Sequence, residues 1–494
     1  MSWSEARSRT RIQEHLKTVP EFDERITLAK HARTMAEDRG LMAALPARRA
    51  FVVEGAHVYG ELLDFDKLVA DQNKHETDQS HRNVLRFLNM HYRLWDAIVD
   101  NEDADRVDYH GARLHAIVTA SEDNPRAQVE RAVALASKLN DATKRVATAY
   151  GFPARVRFGI DQGKCVAMTT GRAYERDTLF FGAPANHAAK LAASRDEEGI
   201  YVAVGAMAAA GSAASRKTTT GDMAFDEKFI AEATRRHTFA RIDEAVSRLV
   251  AEARQETFFN FRRATPPLVT VKFSQLSPAY SIRMGMASLF ADIDGFTAFV
   301  DVAIRSGSDG IKRAATAVHV IREELNDVLG EDSKGKRVRF IGDCIHGVLA
   351  EGRLEDDAAT AIDEAVMCAA GMKNSFELCQ KIIGGIDSLD LAIGIEYGPV
   401  PLTRIGLRGE NSVRCAAGRA VVMSERAQQS LRGGGLNLGP VARQHANPAT
   451  RKLFASGTAL LGYDAMADLL GSTKSPAVAI VKQNPNARPH FCKW

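Results

Sequence analysis

The chain has 494 residues, 45% of them hydrophobic and 26% charged, and its formal charge is only +3. That length exceeds what one hydrophobic core serves, and so small a charge argues against a nucleic-acid or membrane surface. No apolar run is long enough to span a bilayer, the start Met1-Ser-Trp-Ser-Glu is polar, and the six cysteines form no C-x-x-C pair, which together predict a cytoplasmic protein with reduced thiols.

In chain order, residues 1–46 read as a charged helical segment with Gly40 as a stop. Arg48 to His57 reads as a short apolar strand entering a turn at Gly55, and a helical tract with a break near 75 follows to about Val99. A hairpin is expected over 105–118, a helix over 126–150, and a strand and turn over 154–163. Leu179 to Leu191 then passes from a strand end into a helix with Pro184 in its first turn. Residues 224–262 are helix-like and charged, and Pro266-Pro267 opens a linker that runs through Pro278.

The second half repeats the order of the first. An apolar strand runs from Met286 into the acidic turn Asp292-Ile-Asp294-Gly295-Phe296-Thr297, with a helix opening near Thr297. A second acidic turn, Gly342-Asp343, lies between two short apolar strands and suits a tight hairpin. A helix at 356–383, a strand at 391–398 and a strand-to-helix segment at 413–426 complete the series. Gly55, Gly111, Gly159 and Gly182 thus match Gly295, Gly342, Gly394 and Gly418, the mark of a two-copy duplication. Hairpins demand antiparallel pairing, and helices of this length need a sheet to cover, so each copy is expected to be α+β.

The chemistry concentrates at the two acidic turns. A carboxylate at the end of a buried strand is costly unless paired or metal-bound. Asp292 and Asp343 on neighbouring strand ends would hold Mg²⁺ or Mn²⁺ through oxygen ligands, with positions left open for phosphate oxygens. Gly295 frees the turn, and the N–H groups at the start of the next helix can face an anion. Aligned on their glycines, the copies are asymmetric: Asp292 falls opposite Val52, Asp343 opposite Ala112, and Asn186 and Lys190 opposite Val422 and Arg426. Neither copy holds a complete polar set, which predicts one composite site across a pseudo-twofold interface.

The run Phe290-Ala-Asp292-Ile-Asp294-Gly-Phe-Thr297, with Ile341-Gly342-Asp343 after it, resembles the class III nucleotidyl cyclases. Gly182-x-x-x-Asn186-x-x-x-Lys190 resembles that family's Asn-x-x-x-Arg motif with Lys in place of Arg. The resemblance implies two ferredoxin-like α+β cyclase domains, antiparallel sheets covered by helices, in a pseudo-twofold arrangement. It divides the chain into the N-terminal segment 1–46, a degenerate cyclase domain at 47–222, a helical linker at 223–283, a metal-binding cyclase domain at 284–470 and a tail at 471–494. It further implies two Mn²⁺ or Mg²⁺ ions held by Asp292, the Ile293 backbone and Asp343, with Asn186 orienting the ribose and Lys190 neutralising phosphate charge. Gly295, Phe296 and Thr297 would border the nucleotide, and Asp108 and Leu179 take the base-reading positions.

Asp108 and Leu179 match neither purine pattern of that family, and its phosphate-contacting Arg falls at Ala392, surviving only in the first copy as Arg157. Phe273 to Arg283 and His110-Gly-Ala-Arg-Leu-His115 look similar to the bacterial pyrimidine cyclases of antiphage signalling. The expected activity is therefore cyclisation of a nucleoside triphosphate, CTP or UTP, with a separate cyclic-nucleotide effector as partner. The alternatives are an adenylate or guanylate cyclase, or a nucleotide-binding pseudo-cyclase. The duplicated chain is expected to act as a monomer with an internal pseudo-dimer or as a homodimer, without nucleic acid or membrane.

Overall fold

The computed structural model describes residues 2–22, 45, 49–70, 76–99, 104–119, 124–170, 177–194, 197–211, 215–218, 221–237, 242–253, 258–407, 409, 412–455 and 461–471. Gly40 and nearly all of the 471–494 tail lie outside them.

Helix α1 (Glu5–Leu16) and a short strand β1 (Glu21–Phe22) precede the first copy, which begins with the long strand β2 (Arg49–Leu62). Helices α2 (Phe65–Ala70) and α3 (Asp78–Val99) follow, then the hairpin β3 (Ala104–His110) and β4 (Arg113–Val118) and the helix α4 (Pro125–Tyr150). Strands β5 (Val156–Thr170) and β6 (Asp177–Phe181) lead into α5 (Ala183–Ala193) and β7 (Gly199–Val202). The copy ends with α6 (Val204–Ala210), β8 (Ser215–Lys217), β9 (Met223–Phe225), α7 (Glu227–Arg236) and α8 (Ile242–Glu252). Its sheet order is β3-β4-β2-β5-β7-β9-β8, with β6 also on β5. The sheet thus runs past residue 222, and α7 packs on α4, so part of the segment expected as a linker covers the first copy.

The second copy repeats this. A two-residue strand β10 (Phe261–Arg262) pairs with β11 (Ser281–Asp294), and helices α9 (Phe296–Arg305) and α10 (Ser308–Asp327) lead to the hairpin β12 (Lys336–Ile341) and β13 (Cys344–Leu349). Helix α11 (Ala358–Ile383), strands β14 (Asp390–Gly406) and β15 (Ser412–Ala416), helix α12 (Arg419–Gln429) and strand β16 (Gly435–Leu438) follow, and helices α13 (Pro440–His445), α14 (Pro448–Leu453) and α15 (Tyr463–Gly471) close the copy. The order β12-β13-β11-β14-β15, with β16 on β14, matches β3-β4-β2-β5-β6 with β7 on β5, while β8 and β9 of the nine-stranded first sheet have no counterpart in the seven-stranded second. Long helices start and stop on local signals: Asn124 caps α4 through Ala127 N–H and Gly151 ends it at φ +71°, while Asp357 caps α11 through Thr360 N–H.

The copies grip each other by exchanged arms. Strand β5 and strand β6 of the first copy send Val166, Met168, Leu179 and Phe181 into the apolar cluster built on Ile321, Ile362 and Val366 of the second. In return Ile405, Val413 and Cys415 of β14 and β15 enter the cluster around Leu88, Trp95 and Leu135 of the first. Each arm is continuous with its own sheet, so the two copies share their cores rather than merely touching. Helix α1, although N-terminal, joins the second copy: Ile12 is buried there, and Arg11 pairs with Glu324 at 2.7 Å and Asp332 at 3.0 Å.

Strand register corrects the alignment of the copies. Gly55 is not a turn glycine; it lies within β2 opposite Gly163, and the strand continues to Leu62. Tyr59 pairs with His115 as Phe290 pairs with His346, and the two ring pairs stack alike at 4.1 and 4.2 Å. Glu61 pairs with Arg157 as Asp292 pairs with Ala392. The residue opposite Asp292 is therefore Glu61, not Val52. Both hairpins bulge at the same place, before Asp108 and before Arg339, and Ala112 keeps its place opposite Asp343.

Candidate active site

The acidic end of β11 and the β12–β13 turn meet as expected. Gly342, at φ +60°, occupies the first central position of a two-residue turn, which leaves Asp343 at the second. Asp292 and Asp343 repel each other, and both draw on the Ile293 backbone N–H. Burial and the neighbouring Asp294 push Asp292 up to about 6, and burial with Asp292 pushes Asp343 well above the carboxylate range. Asp292 also accepts a hydrogen bond from Gln428 Nε2 at 3.2 Å. Two desolvated carboxylates this close, with one shared amide donor, form a donor set that fits a divalent cation. Asp294 is exposed and accepts from Gly433 N–H at 2.9 Å.

Gly295 opens α9 at φ +81°, where a Cβ would meet Ser388 O at 3.2 Å, so the turn suits glycine on two counts. Phe296 is buried and packs on Phe181 of the other copy at 6.1 Å between ring centres. Thr297 is the meeting point: Asn186 Nδ2 donates to Thr297 Oγ1 at 3.1 Å. Helix α5 of the first copy therefore abuts the acidic loop of the second. Its placement has a local cause. Gly159 on β5 lets the helix lie flush, since a Cβ there would sit 2.1 Å from Ala188 O.

Lys190 is exposed one helical turn beyond Asn186. Asp108 reaches across to the second copy and pairs with Arg339 at 3.2 Å; burial raises its pKa against the pull of that arginine. Leu179 is a packing residue, only 2% exposed within the exchanged arm. Asp177, two residues earlier, is bound by Arg337 at 3.0 Å and by Arg414. Arg157 is fully buried and bonds Leu191 O at 2.7 Å, Ser194 Oγ at 3.0 Å and Asp222 at 2.6 Å. It ties down the C-terminal end of α5 and contacts no part of the acidic loop. His57, His115 and His346 are buried side chains whose pKa values fall through desolvation, in keeping with packing roles.

Sequence reasoning missed Gln428, Arg339, Asp177 and Glu61. Only the last left a readable signal: Glu61 precedes Ala112 by the same interval that separates Asp292 from Asp343. The others come from tertiary approach of helices and arms that pattern alone does not fix.

The family described as the adenylate and guanylate cyclase catalytic domain matches residues 60–232, which is the first copy, not the one bearing both aspartates. A uridylate cyclase of a Rhizobium species is 40% identical over 94% of this chain and 94% of its own. A uridylate cyclase of Pseudomonas aeruginosa is 35% identical over 95% of this chain and 91% of its own. The crystal structure of a class III adenylyl cyclase-like ATP-binding protein from Pseudomonas aeruginosa superposes with a TM-score of 0.82 at 33% identity, covering 95% of this chain and all of that one. No helix among the described residues is long and apolar enough to cross a membrane. With its duplicated α+β fold and near full-length relatives, this chain belongs to the class III nucleotidyl cyclases, enzymes that take a nucleotide substrate and use divalent metal ions.

Proposed function

We propose that this protein converts UTP to 3′,5′-cyclic UMP and pyrophosphate, as a second messenger read by a separate effector in antiphage defence. The supporting observation is the Asn186–Thr297 hydrogen bond, which joins the amide-bearing helix of one copy to the acidic loop of the other. The choice of uracil rests on the two uridylate cyclases that match this chain over most of their length.

Asp292, Asp343 and the Ile293 backbone would hold two Mg²⁺ or Mn²⁺ ions. When bound, the ions would make the ribose 3′-hydroxyl a better nucleophile and neutralise charge on the phosphates. Asn186, fixed by Thr297, orients the ribose so that the 3′-oxygen lies in line with the α-phosphorus. The new bond joins that oxygen to the α-phosphorus, the bond to the β-phosphate bridging oxygen breaks, and the hydroxyl proton passes to solvent. Lys190 on its exposed turn meets the negative charge that gathers on the phosphates. Gly295 and the first N–H groups of α9 face the phosphates, while Phe296 excludes water from beneath the loop. Asp108, held by Arg339, stands at the base end of the cleft and presents an acceptor there.

Incubation of the purified protein with UTP, CTP, ATP and GTP separately, each with Mn²⁺, tests this reading. Cyclic UMP as the dominant product supports it, and a purine cyclic nucleotide as the dominant product overturns the base choice. Absence of any cyclic product under all four conditions favours a pseudo-cyclase.

A further inference from the structure

The mirror half of the cleft has the same framework as the acidic half. Glu61 stands opposite Asp292 by strand register, and Ala112 stands opposite Asp343. The helix facing it, α12, presents Val422 and Arg426 where α5 presents Asn186 and Lys190. One difference decides the chemistry. Arg113 follows the turn where Cys344 stands in the other copy, and its guanidinium lies between two carboxylates. Arg113 Nε donates to Glu61 Oε2 at 2.6 Å, and Nη1 donates to Glu425 Oε1 at 2.8 Å. His110 Nε2 approaches Glu425 from the other side at 3.5 Å. Against the upward pull of burial, Arg113 and His110 hold Glu425 well below the carboxylate range. Glu61 comes from the first copy and Glu425 from the second, so one cation bridges the two. A cavity of about 110 Å³ bordered by Glu61, His110, Arg113 and Glu425 adjoins the group.

We infer that Arg113 is a tethered cation standing where a divalent ion would sit, and that the mirror half is a latent metal site silenced by this one side chain together with Ala112. The inference rests on the reading of Asp292 and Asp343 as metal ligands. A guanidinium fixed by the chain supplies the charge that a soluble ion would otherwise supply, and it leaves no free position for phosphate oxygens. The mirror half is then closed to catalysis without being left with uncompensated carboxylates.

Giving positions 112 and 113 the residues found at 343 and 344 tests the inference. Manganese binding is measured by electron paramagnetic resonance on the full chain. Asp292→Ala/Asp343→Ala should lose the wild-type Mn²⁺ signal; if it does not, the metal reading of the acidic half fails, whatever the mirror half does. Adding Ala112→Asp/Arg113→Cys to that background should restore Mn²⁺ binding at least tenfold above background, and Glu61→Gln should remove it again. A folded quadruple variant that takes up no Mn²⁺ overturns the inference. Arg113→Gln provides a second check independent of the rebuilt turn. Its Tm should fall, and millimolar Mg²⁺ should recover the loss by binding Glu61 and Glu425. A loss that Mg²⁺ leaves untouched in the Asp292→Ala/Asp343→Ala background contradicts the inference.

Discussion

The two copies share the order of their common strands, strand register, a hairpin bulge and even a stacked ring pair, yet they carry different polar residues at matching positions of the cleft. Where the second copy has Asp292 and Asp343, the first has Glu61 and Ala112, with Arg113 filling the charge balance. Where the first copy has Asn186 and Lys190, the second has Val422 and Arg426. Packing explains why the framework persisted while the polar residues diverged. The exchanged arms make each core depend on the other copy, so strands and arms are held by burial. A polar side chain facing the cleft carries no such burden, and each half of the cleft was free to change.

The largest expected effect breaks the acidic half. Asp292→Ala or Asp343→Ala should lower product formation by about 10³-fold or more while the circular dichroism spectrum stays that of the wild type. Retained turnover in both variants removes the metal assignment. Next, Asn186→Ala should lower kcat by about 10²-fold with little change in KM, the outcome expected if the amide orients the ribose rather than adding overall affinity. Single-turnover kinetics with UTP distinguish that outcome from weaker binding.

A pH series sharpens the same contrast. Asp292 is raised to about 6 and Asp343 is raised as well, so the folded metal-free protein holds protons more readily there than the unfolded chain. The Asp292 contribution to stability is present below the unfolded carboxylate range and lost as pH rises through about 6, and the Asp343 contribution is likewise lost on the alkaline side. At neutral pH, Asp292→Asn should therefore raise the Tm of the metal-free protein, and the gain should shrink as pH falls toward 5. Mn²⁺ should raise the wild-type Tm at pH 7.5 and lose most of that effect at pH 5. The smallest effect belongs to the mirror half: Glu61→Gln should cost about 2 kcal/mol in urea unfolding and leave UTP turnover within about twofold. A strong loss of turnover there would mean that both halves of the cleft react.

Much of the framework was legible from residues alone. The repeated order of strand, hairpin and helix and the two acidic turns follow from periodicity and turn chemistry that local sequence carries. The spacing from Gly182 puts Asn186 in the first turns of α5, from which it reaches Thr297. Sequence spacing sets Val52 opposite Asp292 because Gly55 looks like a turn glycine, whereas burial against Val118 and Gly163 keeps the strand extended through it to Glu61. The register, not the glycine, fixes which carboxylate matches which. Leu179 took a base-reading position by motif spacing but serves the exchanged arm, and a sequence does not show which side of an arm will be swallowed by another domain. The Arg339–Asp108 pair joins residues far apart in sequence across the interface, so no local pattern announces it.

The composite nature of the site is tested most directly by a crystal structure with Mn²⁺ and a non-cyclisable UTP analogue, using manganese anomalous scattering. Anomalous peaks are expected between Asp292 and Asp343, with the ribose against Asn186 and no manganese beside Glu61. Manganese bound at Glu61, or a nucleotide whose ribose lies away from Asn186, would contradict the composite site.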